Sequence, residues 1–185
     1  RRQRQMCIRD SLWGTFDGSR YIGFGDFSRD GDESQHVAEF WHWLQARKRH
    51  ALEAGKNFQV WVYAAQGENY WLRQAAERYG GRRYEVAGSA TRVTMPTLEE
   101  VNAFIASEHW CDCFGLVKKA LAPTDSLGLK TVAPLAGFEF SQAGINGKAA
   151  VELFEQAIGG SRSTAQAARR KLEPVSYTHL TLPTN

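Results

Sequence analysis

Residues 58–79, FQVWVYAAQGENYWLRQAAERY, decide the fold. The segment opens with an apolar run rich in β-branched and aromatic side chains, Phe58 to Tyr63, which is typical of a buried strand. A turn of small residues over 64–67 follows it. Apolar residues then recur at spacings of three and four as far as Tyr79, which predicts a helix. The segment therefore predicts a strand–turn–helix unit of an α/β protein.

Glu68 stands directly after this turn. The helical spacing places it on the same face as Leu72 and Ala75, which we expect to face the core. A carboxylate on that face must be neutralised by a cation, a metal ion or a proton. In open α/β sheets ligands and metals gather outside the carboxyl ends of strands, and Glu68 falls at such a position. The alternative is a solvent-exposed glutamate that the helix macrodipole stabilises, and spacing alone does not decide between the two.

A hairpin and a long helix are predicted before this unit. Leu12–Phe16 and Tyr21–Gly25 are apolar segments around Asp17-Gly18-Ser19, which is a strong hairpin signal. Ser34 is placed to cap a helix over residues 34–54. The apolar stripe of this helix consists of Val37, Phe40, Trp41 and Leu44.

The second half of the chain is predicted to be mostly helical. Residues 80–95 are basic and rich in glycine, and we expect an exposed connection there. The further predicted helices cover residues 96–105, 126–135, 148–158 and 161–172. The order β-β-α-β-α-α, followed by helices, predicts a mixed sheet with helical cover. A hairpin and one strand make a narrow sheet for this many helices, so we expect the sheet to lack its first strand.

The composition fits a single globular domain. The chain has 185 residues, of which 43% are hydrophobic and 12% aromatic, and this excludes a disordered protein. No apolar run approaches the length of a membrane span, and no secretory signal pattern opens the chain. Cys111 and Cys113 lie too close together for an ordinary disulfide framework, so we expect reduced thiols and a cytoplasmic location. A zinc site at these cysteines would need a second Cys or His pair, and the sequence has none at a suitable spacing.

Both ends of the chain resemble translated sequencing-adapter read-through. They are residues 1–11, RRQRQMCIRDS, and residues 175–185, VSYTHLTLPTN. We interpret residues 1–11 as an artefactual leader, 175–185 as an artefactual tail and 12–174 as the domain. The alternative is a genuine terminus whose arginines form a nucleic-acid-binding arm.

The positive charge of the chain belongs to its first segment. The full chain has 23 basic and 20 acidic side chains, a net charge of +3. The leader holds four arginines and one aspartate, and the tail holds no Asp, Glu, Lys or Arg, which leaves 19 basic and 19 acidic side chains between them. No overall positive field therefore supports nucleic-acid binding, and a local basic patch is the remaining source.

Two acids lie in apolar surroundings, Glu68 and Asp112. Paired carboxylates suit divalent-metal chemistry, because hard cations prefer oxygen ligands and two metals can stabilise both the attacking and the leaving oxygen. For Asp112 the alternative is an acid that caps the helix after it.

The segments around these acids resemble a known family. Residues 63–81, YAAQGENYWLRQAAERYGG, look like the second motif of RecB-like nucleases with an RNase H-like (YprB-type) exonuclease domain, which recurs as Tyr-x-x-x-x-Glu-x-x-x-Leu. Residues 110–140, WCDCFGLVKKALAPTDSLGLKTVAPLAGFEF, are similar to the block that follows it. Residues 12–24, LWGTFDGSRYIGF, are similar to the second and third strands. Each motif alone has low specificity, and the resemblance depends on the order and spacing of the motifs. It covers about residues 12–173.

The resemblance implies an RNase H-like fold with a DEDD-type acidic cluster and the activity of a metal-dependent nuclease. The implied reaction is exonuclease-type hydrolysis of DNA or RNA with Mg²⁺ or Mn²⁺, and the parent protein could also carry a helicase domain. Glu68 and Asp112 are the candidate catalytic residues, with Glu68 as a metal ligand and Asp112 as an acid that borders the site or supports it. Lys118 and Lys130 are candidate phosphate contacts, and ordinary surface lysines are the alternative.

The same resemblance implies ligands that this sequence does not contain. An Asp-x-Glu pair belongs on a strand before Leu12, and a helix with Asn-x-x-Asp belongs just after Glu173. The adapter-like segments occupy both places, so we expect the chain as given to be an inactive fragment.

A non-catalytic module is the alternative function, either associated with a helicase or a scaffold for protein interaction. Its contact surface would use the aromatic residues Trp13, Phe27, Trp41 and Trp43, which in a nuclease domain would fill the core. The histidines add little, because His109 is more typical of a strand edge than of a catalytic base.

Overall fold

A computed structural model describes residues 12–16, 21–25, 33–86, 90–121, 127–137 and 147–177. Strands and helices alternate through these residues, which confirms the predicted mixed α/β class. The described strands pair as three two-stranded ladders. The finer prediction of an RNase H-like sheet remains a prediction.

The chain divides into two compact units. The central unit is Val37–Leu129, and the terminal unit combines Arg1–His36 with Lys130–Asn185. The first long helix, α1 (Glu33–Glu53), begins shortly before the central unit. The other elements of the central unit are β3 (Val60–Val62), α2 (Gln66–Tyr79), β4 (Arg83–Glu85), β5 (Arg92–Thr94), α3 (Leu98–Ile105), β6 (Trp110–Asp112) and α4 (Cys113–Ala120).

The core of the central unit forms where the apolar faces of its helices meet. The predicted stripe of α1 is buried at all four positions. Other buried side chains come from α2 and α3, and the ring of Trp41 packs edge-to-face on Phe104 at 5.4 Å between centroids. Ser34 is wholly buried inside the first turn of α1, which begins at Glu33, so its predicted role as the residue before the helix is wrong. Thr97 caps α3 in a capping box with Glu100, as expected for a helix that starts there.

The predicted exposed connection over residues 80–95 is instead an antiparallel hairpin. β4 pairs with β5, and Val93 and Met95 are almost fully buried. Each strand has three residues with a single core-facing side chain, Tyr84 or Val93, so the alternation is too short to be read from sequence.

The terminal unit contains a strand pair and a helical pair. β1 (Leu12–Phe16) pairs antiparallel with β2 (Tyr21–Gly25), which confirms the predicted hairpin strands, and the turn between them lies outside the described residues. α5 (Leu129–Val132) starts at Leu129, where the central unit ends, and its other residues belong to the terminal unit. A 3₁₀ turn, Ala133–Ala136, follows it directly. α6 (Gly147–Gly159) and α7 (Arg162–Tyr177) then bury Phe154, Ala157, Ala168 and Leu172 between them. α7 extends beyond the predicted end at residue 172.

Candidate functional site

The candidate site lies at the carboxyl ends of two neighbouring parallel strands. β3 and β6 pair in parallel, with Val62 opposite Asp112 at the last position. Strand β6 was not predicted, because its three residues include the charged Asp112. Parallel strands end at the same edge, so the turn after β3 and the start of α4 lie side by side. This pairing brings the segments of Glu68 and Asp112 together.

Asp112 connects these two segments through three backbone hydrogen bonds. Its Oδ1 accepts from the N–H of Phe114 at 2.9 Å, which makes it the N-cap of α4. The same oxygen accepts from the N–H of Ala64 at 3.0 Å, and Oδ2 accepts from the N–H of Ala65 at 3.1 Å. The capping role that the sequence left open for Asp112 is therefore present, and the carboxylate also binds the turn that starts α2.

The turn after β3 has a shape that suits this carboxylate. Ala64 has a φ of +55°, in the left-handed region that non-glycine residues rarely adopt. Ala65 follows in the right-handed region and is the N-cap of α2, but its side chain offers no hydrogen-bond acceptor. Successive N–H groups in this arrangement form a small concavity that binds anions. Asp112 supplies the anion, and so it fixes the turn that leads into α2.

Glu68 lies in the first turn of α2. Leu72 and Ala75 on its helix face are buried as predicted, but Glu68 itself is exposed, so the expectation that it faces the core is wrong. The reason is its place in the first turn of α2, three residues after the N-cap Ala65, because the buried positions of this helix begin only at Leu72.

The carboxyl of Glu68 is nevertheless perturbed by its surroundings. Nearby protein atoms remove part of its hydration, and this desolvation raises its pKa above the usual value. A hydrogen bond from its own backbone N–H opposes the rise, and the negative charge of Asp112 adds to it. The two carboxylates are therefore close enough to interact electrostatically.

Two further residues lie beside Asp112, and of these Tyr63 was not singled out from sequence for its chemistry. The hydroxyl of Tyr63 donates to the carbonyl oxygen of Leu127 at 2.6 Å, and its ring contacts Phe114 edge-to-face. The thiol of Cys113 donates to the carbonyl oxygen of Val62 at 3.0 Å. Burial raises the pKa of Cys113, and the charge of Asp112 raises it further, so this thiol is held in its protonated form. A thiolate nucleophile is not favoured here.

The other predicted site residues lie apart from this edge or outside the described side chains. Lys118 is exposed in the last turn of α4, about 9 Å along the helix axis from Asp112 at the usual rise per residue. Lys130 lies on α5, and its side chain is outside the described part of the structure. Nδ1 of His109 lies 2.9 Å from the carbonyl oxygen of Phe58, so the imidazole forms a structural hydrogen bond.

The described residues do not by themselves form a complete metal site. Within these residues, no three His, Cys, Asp or Glu side chains come together as a metal-binding group. Both oxygens of Asp112 already accept backbone hydrogen bonds, which leaves the exposed carboxylate of Glu68 as the available oxygen ligand at this edge. A divalent ion prefers six or more oxygen ligands, including water, so Glu68 alone does not fit one.

Comparisons with known proteins add no assignment. No protein-family model, curated protein or solved structure matches the chain significantly. In the part of the chain that the structure describes, no helix combines the length and apolar character that crossing a bilayer requires.

Proposed function

We propose that this chain is a fragment of a metal-dependent nuclease that hydrolyses phosphodiester bonds of DNA or RNA. The observation that carries the proposal is the pair of carboxylates, Glu68 and Asp112, at the carboxyl edge of the parallel strands β3 and β6. Ligands of α/β proteins gather at such edges. The motif resemblance in residues 63–81 supports the same function, and an RNase H-like fold for the parent protein is part of the proposal.

The two acids have different roles in this proposal. Glu68 is the ligand through which the parent protein would bind Mg²⁺ or Mn²⁺, together with acids from outside the described residues. Asp112 is the residue that fixes the turn before α2 and so the position of Glu68. The ion would supply charge neutralisation at the scissile phosphate. A cytoplasmic location and a helicase partner belong to the same proposal.

Substitution of Glu68 in the full parent reading frame tests this function. We expect Glu68→Gln to lower the cleavage rate of a labelled oligonucleotide at least about tenfold, as loss of a metal ligand does. Glu77→Gln is the matched control, because Glu77 is an exposed glutamate at the other end of the same helix. Equal cleavage by the two variants, with Mg²⁺ or Mn²⁺ present, would reject the assignment.

A non-catalytic interaction module is the second candidate function. It is favoured by the hydrogen bonds of Asp112, since a carboxylate that caps one helix and holds the start of another has a sufficient structural role. Trp41, one of the proposed contact aromatics, is buried in the core and does not offer a surface. The clean reading frame separates the candidates, because the nuclease requires an acid pair upstream and an Asn/Asp helix downstream.

A further inference from the structure

The hairpin β4–β5 has one core side and one outer side. Tyr84 and Val93 are opposite each other on the core side. The outer side carries the other four residues of the ladder, Arg83, Glu85, Arg92 and Thr94, and all four are exposed. Arg83 and Arg92 are diagonal neighbours on this side, which separates their Cα atoms by about 7–8 Å.

Positive charge is concentrated around this hairpin. Residues 73–95 contain five arginines and two glutamates, a net charge of +3, although residues 12–174 as a whole are neutral. Arg82, directly before β4, lies over the ring of Tyr79 with its guanidinium carbon 4.9 Å from the centroid. Among the described residues, neither Arg82 nor Arg83 forms an ion pair. We call Arg83 and Arg92, which share the outer side of the hairpin, the arginine face.

The acid on this side forms an exposed ion pair with the arginine face. Glu85 pairs with Arg92 at 3.1 Å, and the two side chains are 74% and 75% exposed. Ion pairs this exposed stabilise a fold little, so an incoming anion can replace Glu85 at small cost. A guanidinium presents a planar fork of donors that matches phosphate oxygens.

We propose that the arginine face binds the phosphodiester backbone of a nucleic acid strand. The charge complementarity favours phosphates, and the outer side of the hairpin has no apolar pocket residue that would read a base or a hydrophobic side chain. Binding is therefore independent of base sequence and sensitive to salt. The choice of nucleic acid as the partner rests on the proposed function, but the hairpin lies outside the Glu68 site.

Salt dependence of binding tests the arginine face. The probe is a fluorescent single-stranded 20-mer oligothymidylate, and its affinity for the full 185-residue chain is measured by anisotropy over a range of salt concentrations. The test variant is Arg83→Gln/Arg92→Gln. The matched control is Arg49→Gln/Lys56→Gln, which removes the same charge from two exposed positions elsewhere. All proteins share the arginines of residues 1–11, so differences between them come from the substituted positions.

We expect the test variant to reduce the slope of log K against log salt by about 1.4, the value for two phosphate contacts on a single strand. If the proteins bind equally at 1 M salt, this corresponds to about 25-fold weaker binding at 0.1 M. The control variant should bind as the unsubstituted chain does. Far-UV circular dichroism and urea unfolding verify that both variants fold.

Equal slopes for the test and control variants would overturn the inference. Loss of binding to poly-glutamate with unchanged binding to oligothymidylate would also overturn it, since that result assigns the face to an acidic protein. The Glu68→Gln cleavage assay is separate, so weakened binding at the hairpin with full cleavage by Glu68→Gln would reject the nuclease site and keep the arginine face.

Discussion

Asp112→Ala should destabilise the protein more than the loss of an ordinary helix cap. The substitution removes the acceptor for three backbone N–H groups, one at the start of α4 and two in the turn before α2. Loss of an N-cap costs about 0.5–2 kcal/mol. Each of the other two hydrogen bonds contributes about 0.5–1.5 kcal/mol, and the exposure of Asp112 favours the lower end. We therefore expect a total loss of about 1.5–3 kcal/mol.

Asp112→Asn tests the cap of α4 separately from the hydrogen bonds to the turn before α2. Asparagine is as good an N-cap as aspartate, so the bond to Phe114 should survive. The amide oxygen then takes the place of Oδ1 and keeps the bonds from Phe114 and Ala64, whereas the NH₂ group takes the place of Oδ2 and opposes the N–H of Ala65. We expect Asp112→Asn to lower the free energy of unfolding by about 1–2 kcal/mol, which is less than Asp112→Ala lowers it.

Urea unfolding followed by tryptophan fluorescence and circular dichroism measures these differences, with the slopes compared to verify that the transitions are equivalent. Thr97→Ala is the matched control, because Thr97 caps α3 and its side chain forms hydrogen bonds within that cap. We expect it to cost about 1 kcal/mol. If Asp112→Ala costs no more than Thr97→Ala, the two bonds to the turn contribute nothing and the reasoning fails.

Three further predictions concern the same edge. The folded state raises the pKa of Glu68, so the stability that its protonated carboxyl contributes is present below the ordinary pKa and is lost as pH rises through the higher folded value. As pH rises from about 4 to 7, Glu68→Gln should therefore gain stability in urea unfolding relative to the unsubstituted chain. A difference that does not depend on pH would contradict this. Cys113 should react with iodoacetamide more slowly than glutathione does at neutral pH, since its thiol is half-buried and donates a hydrogen bond to Val62. Peptide mapping by mass spectrometry measures the rate, and equal rates would show that the bond does not protect the thiol. Ala64→Gly should be neutral or stabilise the protein by up to about 1 kcal/mol, because glycine adopts the left-handed backbone of this position without strain. Ala75→Gly, in the interior of α2, should cost about 1 kcal/mol. Thermal melting that ranks the two variants the other way would refute the strained turn.

The long elements of this fold follow from sequence periodicity. α1 buries the predicted stripe because 21 residues repeat the pattern often enough to define a face. The same holds for α2, whose buried positions continue the spacing after its small-residue turn. Periodicity fails for β4, β5 and β6, because a three-residue strand contains no full alternation. The pairing of β6 with β3 also joins residues distant in sequence, which a local pattern cannot encode.

The candidate site was predicted in composition but not in geometry. Helical spacing correctly placed Glu68 on the face of Leu72, yet burial also depends on what lies opposite that face. In α2 the buried positions begin only at Leu72, one turn after Glu68, and Glu68 stays exposed. The bonds from Asp112 to Ala64 and Ala65 span 48 and 47 residues, so only its cap on the adjacent helix was visible in sequence.

The hydrogen bonds of Asp112 determine which acid can do chemistry at this edge. A carboxylate has about four lone-pair positions, and backbone N–H groups occupy three of those on Asp112. Any cation bound there would compete with the contacts that hold the turn. Among the residues that the structure describes, Glu68 has no such hydrogen bond to another segment, and both desolvation and the charge of Asp112 favour its protonated form. A nearby cation would reverse this preference, so proton and cation compete for Glu68 and any metal affinity of the parent protein should rise with pH.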